Sequence, residues 1–357
     1  MKKTILLLLF PLLSNISVAQ EKEKAEKLVS EGINYHDKGD YEGAINKYNK
    51  ALELDRDNLF ALAEKATTYL AQEKFENVIA VCQKAIDSHP GESDLKNVYV
   101  AYGNASDGLK KTDESIKIYD AGLKIFPDYY QLHFNKGITL SSIKKYDEAI
   151  VCFQKTVTLN PKHAGSHNAI ARLLDYQNKR IPSLLAYSRF LIIESTGKRA
   201  IGDLANAQVI TNGSGSAEKT GRKSVTINLS PDMLVDTTAD GKPKENSFTS
   251  TDLILTMSSA LDFDKKYKKE TEVEKFIRKF ETVCSSLSET KKDNYGFYWN
   301  YYVPYFIELK EKGYLETFGY IAFSSSEDKA VAKWLKSHEK EVDEFYDWSK
   351  AFEWKSK

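Results

Sequence analysis

From Ala25 onward, apolar and polar positions recur with a period of 34 residues. The first cycle holds Leu28, Gly32, Tyr35, Tyr41, Ala44, Tyr48 and Ala51 at its fourth, eighth, eleventh, seventeenth, twentieth, twenty-fourth and twenty-seventh positions. One period later the same places hold Leu62, Ala66, Tyr69, Phe75, Val78, Cys82 and Ala85, and Pro90 closes the cycle. The three- and four-residue spacings predict two amphipathic helices per cycle. Small residues at the eighth and twentieth positions let the two helices cross closely, and the large ones fill the space between neighbouring pairs. The proline ends the second helix, since it lacks a donor and clashes with the preceding turn. One helix pair cannot bury its apolar side alone, so the cycles predict a stack: a right-handed α-solenoid with a concave groove.

A third cycle starts at Lys96, after three extra residues, with Tyr99, Gly103, Tyr119, Gly122 and Pro127. A fourth, from Tyr130, holds Gly137, Tyr146, Ala149, Phe153 and Pro161. A fifth, from Ala164, keeps Ala171 and Leu174 but loses the closing proline and carries Pro182 at the start of its second helix. The period, together with the segment GDYEGAINKYNKALELD, resembles the tetratricopeptide repeat, in which that segment is the second helix with its entry turn. The resemblance covers residues 22–197, within a solenoid expected over 20–197 with repeats near 25–58, 59–92, 96–129, 130–163 and 164–197. It implies a fold and a surface for protein partners rather than an activity.

In that register the second, fifth, ninth and twelfth positions of each first helix line the concave face. The candidate partner-binding residues there are Val29, Ile33, Phe60, Asn104, Phe134, Ile138, Asn168 and Arg172. Family members that clamp a terminal carboxylate present Lys, Asn and Arg at matching slots. Here only Asn104 matches, and Val100 stands where the lysine belongs, so that clamp is not expected. A mixed apolar groove fits an extended or helical segment of a partner.

The opening MKKTILLLLFPLLSNISVAQ has a positive start at Lys2 and Lys3, an apolar run from Ile5 to Leu13, and small residues at Ser17-Val18-Ala19. That is the pattern of a signal peptide, 1–19, cleaved after Ala19. Nine apolar residues are too few for a spanning helix, which needs about 20. The chain is therefore expected to be exported, periplasmic or secreted, with no integral membrane segment after cleavage.

Beyond Gly197 the repeat fades. Residues 198–249 are expected to be a linker or irregular, with TNGSGSAEKTGRK as a polar loop and VTINLS, Val225 to Ser230, as a strand or extended connector. From 250 to 357 helical spacing returns. Leu253, Leu255, Met257 and Leu261 mark one helix, and Val273, Phe276, Ile277, Phe280, Val283 and Leu287 a clear amphipathic one. The segment YGFYWNYYVPYF, Tyr295 to Phe306, holds eight aromatic residues in twelve positions. Its cluster Tyr298, Trp299, Tyr302 and Tyr305 reads first as core of an aromatic-rich helical C-terminal domain. A partner face or a glycan-stacking platform are the alternatives. Pro304 kinks that helix or starts a new one.

Charge adds exclusions. Lys+Arg and Asp+Glu are each 51, giving no basic stripe for a phosphate backbone, so nucleic acid is not an expected partner. Three widely spaced cysteines, Cys82, Cys152 and Cys284, suggest buried thiols rather than a disulfide framework. Six scattered histidines form no HExxH or Cys-x-x-Cys pattern, and no cofactor or metal is expected. No Gly-x-Ser-x-Gly elbow is present. The whole reads as a non-catalytic, all-α scaffold or adaptor of the bacterial cell envelope.

Overall fold

The computed structural model describes residues 10–212, 238 and 244–354, the first ten of these as backbone only. The expected extended segment at Val225 to Ser230 and the polar loop from 213 lie outside the described residues. Seventeen α-helices are described, and no strand. Five hairpins come first: α1 Phe10–Asp37 with α2 Tyr41–Leu54, α3 Leu59–Ala71 with α4 Phe75–Ser88, and α5 Leu95–Gly108 with α6 Thr112–Ile125. α7 Tyr130–Ser142 with α8 Tyr146–Leu159, and α9 Ala164–Tyr176 with α10 Arg180–Ile193, complete them. Then come α11 Lys198–Asn212, α12 Thr249–Ser258, α13 Glu272–Thr290, α14 Phe297–Glu311, α15 Leu315–Ala322, α16 Lys329–Ser337 and α17 Glu339–Ala351.

The turn inside each hairpin repeats in backbone detail. Gly39, Glu73, Lys110, Lys144 and Asn178 all take positive φ, 56–79°, at the fifteenth position of their cycles. The next residue's N–H then bonds the carbonyl five residues back, as in Asp40 to Tyr35 and Lys179 to Leu174. The fifth cycle therefore makes the same turn as the others. Its Pro182 is the third residue of α10, where the missing N–H has no helical partner to lose.

The eighth position is small because the twenty-fourth is large. A Cβ on Gly32 would stand 2.4 Å from the Tyr48 ring, and one on Gly103 2.2 Å from the Tyr119 ring. Where Cys82 replaces the tyrosine, Ala66 replaces the glycine, and both are closed to solvent. The first core joins Ala25, Val29, Ala44, Tyr48 and Ala51. The next runs from Leu59 and Leu62 through Cys82, Val98 and Tyr119 to Leu132.

The chain divides into two compact units, 1–152 and 153–357, and the division falls inside α8. The expected boundary at 197 is not where the packing changes. α10 packs against α9, α11, α14 and α15, and every residue from Ile181 to Ile192 is buried. A helix that is buried on all sides must be central, so the fifth hairpin forms the heart of the second unit. The expected linker also begins later: α11 buries Ala200, Asp203, Leu204, Ala207 and Ile210 at helical spacing.

α14 runs unbroken through Pro304, so the aromatic segment from Phe297 to Phe306 is one helix. Both helices expected at its amino side form, as α12 and α13. In the first, Leu255 is buried while Met257 remains 56% exposed, and Leu261 lies beyond its end. In the second, Thr271 and Glu274 make a reciprocal cap. Asp262 accepts from Arg278 and from the fully buried Lys279, both at 2.8 Å. All three cysteines are buried, and burial pushes the Cys82 thiol up to about 12. Among the described residues, no helix is long and apolar enough to cross a membrane.

Candidate functional site

The first unit carries a groove of about 350 Å³ along α3, α5 and the start of α7. α3 begins where Asn58 accepts the Ala61 N–H at 2.8 Å, so its first turn places Phe60 at the mouth. Phe60 is 51% exposed, a large apolar side chain left in water. Ala63, Thr67 and Leu70 follow it on α3, Asn97 and Val100 face from α5, and Gln131 enters from α7. These are second-, fifth-, ninth- and twelfth-position residues of their cycles.

Sequence reasoning passed over four other lining residues: Glu64, Asp94, Ala101 and Tyr129. Glu64 and Ala101 occupy sixth positions, one step beyond a groove slot. Asp94 and Tyr129 directly precede α5 and α7, in connectors that a helix-slot count ignores. The Tyr129 hydroxyl donates to Asn97 and fixes that amide. Burial holds the Glu64 carboxyl above the usual carboxylate range; His36 opposes the shift and Asp37 adds to it.

The eight candidate groove residues separate. Val29 is fully buried in the first core, packed with Ala25, Ala44 and Tyr48, and offers nothing to a ligand: a correction to its groove placement. Ile33 is half-buried against the same core. Asn104 accepts the Tyr119 hydroxyl at 2.6 Å, and its amide oxygen already has that partner. Phe134 is half-buried and Ile138 is 45% exposed on α7. Asn168 and Arg172 belong to α9 of the second unit, where Asn168 donates to Asp203 and Arg172 is exposed. Phe60 alone of the eight lines the groove just described.

The aromatic cluster sits in the second unit, at 0–3% exposure for Tyr298, Trp299, Tyr302 and Tyr305. Trp299 stacks on Phe248 with ring centres 4.4 Å apart and donates its indole N–H to the Ser247 carbonyl at 2.7 Å. The Tyr302 hydroxyl meets His167 Nδ1 at 2.7 Å, and Tyr301 donates to the Val157 carbonyl at 2.7 Å. These tyrosines spend their hydroxyls inside the fold and present no open stacking face. A cavity of about 560 Å³ lies beside Pro304, lined by Asn300, Tyr301, Glu308, Trp348 and Phe352 among others; there Trp348 donates to Glu308 at 2.7 Å. Among the described residues, no three His, Cys, Asp or Glu side chains gather as metal ligands.

Three family models match the first half: TPR repeat over residues 32–73, and tetratricopeptide repeat over 97–129 and over 130–163. The chain is 33% identical over 113 residues to Hsp70-Hsp90 organizing protein 1 of Glycine max, covering 31% of this chain and 19% of that protein. It is 26% identical over 155 residues to the STIP1 homolog of Dictyostelium discoideum, covering 35% and 28%. The chain thus spans less than a third of either relative's length. Among solved structures, Pseudomonas aeruginosa pilF is similar at 21% identity, with 54% of this chain and 85% of that one covered and a TM-score of 0.48. No family model matches the C-terminal half, and through its first half the chain is a tetratricopeptide-repeat protein.

Proposed function

We propose that this chain is a non-catalytic protein–protein interaction scaffold or adaptor that holds a segment of a partner protein in the groove of its second to fourth repeats. The observation that carries the reading is Phe60, half exposed in a trough that also holds Ala63, Leu70 and Val100. A large apolar side chain kept in water within a concave site is what a partner's side chain covers on binding. The relatives' names, which join Hsp70 and Hsp90, support an organising role in general terms and nothing narrower. The signal-peptide pattern of residues 1–19 supports export to the cell envelope. The glycan alternative finds no support in the four clustered aromatics, which are closed to solvent.

One purification tests both parts of the reading. The tagged chain, recovered from an envelope extract, is expected to start at Gln20 and to bring a partner protein with it. Phe60→Asp leaves the fold intact, because the side chain is already in water, and reduces the partner's recovery by at least about tenfold. Equal recovery with Phe60→Asp places recognition elsewhere; recovery with the leader attached contradicts export.

A further inference from the structure

The groove offers acceptors and negative charge without a cation among the side chains that line it. Glu64 and Asp94 border the apolar floor, and no ammonium or guanidinium lies within ion-pair distance of either among the described residues. Gln131 lines the same trough, and its side-chain oxygen, closed off from water, has no hydrogen-bond partner. An orphaned buried acceptor is unfavourable until a donor reaches it. An adjoining cavity of about 610 Å³ shares Phe60 and Asp94 and adds Glu26, Asp55, Asp57 and Glu92, against Lys22 and His89. His89 is already engaged by Glu92 at 3.1 Å, and Lys84 reaches Asp57 from outside at 3.3 Å. Lys96, next to the groove in sequence, is held over the Tyr129 ring at 5.4 Å.

We infer that the groove takes a cationic, extended peptide segment, with an apolar side chain against Phe60, Leu70 and Val100 and a lysine or arginine between Glu64 and Asp94. This deepens the reading proposed above and rests on it. The occupant is opposite in charge to the terminal carboxylate that some tetratricopeptide grooves clamp. Charge complementarity decides the choice: an anionic segment would bring like charge to two unpaired carboxylates. Burial already disfavours the charge on Glu64, and an incoming ammonium relieves that cost.

The test uses the full chain and two blocked, dye-labelled octapeptides, one alternating leucine with lysine and the other leucine with glutamate, followed by fluorescence anisotropy. The lysine peptide is expected to bind at least about tenfold tighter than the glutamate peptide, with the margin narrowing in high salt. Glu64→Gln with Asp94→Asn is expected to erase most of that margin. Asp94 makes no side-chain cap to α5, so its replacement spares the helix. Equal affinities, tighter binding of the glutamate peptide, or no binding of either peptide overturns the cationic occupant. Phe60→Ala separates the two failures. If the glutamate peptide binds and needs Phe60, the groove stands and the charge assignment falls. If the lysine peptide binds regardless of Phe60, Glu64 and Asp94, the groove reading falls as well.

Discussion

Replacing Tyr305 by alanine is expected to cost the second unit about 3–5 kcal/mol of stability. The side chain is fully buried, and its ring centre lies 4.9–5.1 Å from those of Trp348, Trp354, Phe352 and Phe306. Its face covers the Arg189 guanidinium at 4.9 Å, and its hydroxyl shares Ser349 with that arginine. Arg189 is 2% exposed, and its Nε has no hydrogen-bond partner, so the Tyr305 and Trp354 rings add to its bonds with Tyr305 and Ser349 in compensating the buried cation. Alanine would leave a cavity and remove one of those rings. Tyr305→Phe keeps the ring and loses only the hydroxyl's bonds, at about 1–3 kcal/mol. The four tryptophans, Trp299, Trp334, Trp348 and Trp354, all lie in the second unit, so their fluorescence in a urea titration reads that unit alone. A loss below about 1 kcal/mol for Tyr305→Ala would show that α14 is not packed as described.

The stability difference between the native chain and His167→Gln is expected to shrink by about 2 kcal/mol from pH 7 to pH 5. His167 is closed to solvent, with Nε2 donating to the Pro161 carbonyl at 3.0 Å and Nδ1 accepting the Tyr302 hydroxyl at 2.7 Å. Both ring nitrogens are thus used by the neutral form. Burial, and after it the Arg189 charge, depresses the folded-state value to about 3. The unfolded imidazole takes a proton near pH 6.5, so the unfolded state binds more protons between about 3 and 6.5. The stability His167 confers is fully present above that window and is lost as pH falls through it. Asp203 works the other way: burial raises its carboxyl to about 6, so its protonation favours the folded state as pH falls. The comparison with His167→Gln cancels Asp203 and isolates the histidine. A difference that stays constant between pH 7 and pH 5 would contradict a neutral buried His167.

How much of this was legible beforehand depends on whether one residue type or a pair of contacts sets the feature. The hairpins were legible because each slot admits few side chains: Gly32 and Gly103 must be small beneath Tyr48 and Tyr119. The left-handed turn position was not, since Glu73, Lys110 and Lys144 fill it in place of the glycine or asparagine that would announce it. α11 escaped notice because two of its buried positions, Ala200 and Ala207, are small and raise little apolar signal among Asn, Gln and Asp. The fifth repeat's membership in the second unit was visible only as the largely apolar run of α10, interrupted by Ser183, Ser188 and Arg189. In the groove, the Phe60 slot came from the period, while Glu64 lies one step beyond a counted slot and Asp94 in the connector before α5. Val29 shows the converse limit: a position counted as a groove slot can close into core.

The central claim is that the groove marked by Phe60 is where a partner protein sits. A photo-reactive phenylalanine analogue installed at position 60 of the full chain, in the cells that make it, measures that contact directly. A second chain carries the analogue at exposed Lys50 of α2, outside the groove. On illumination, position 60 is expected to yield a discrete cross-linked protein band that position 50 does not. Bands of equal intensity at both positions, or none at position 60, would contradict the claim.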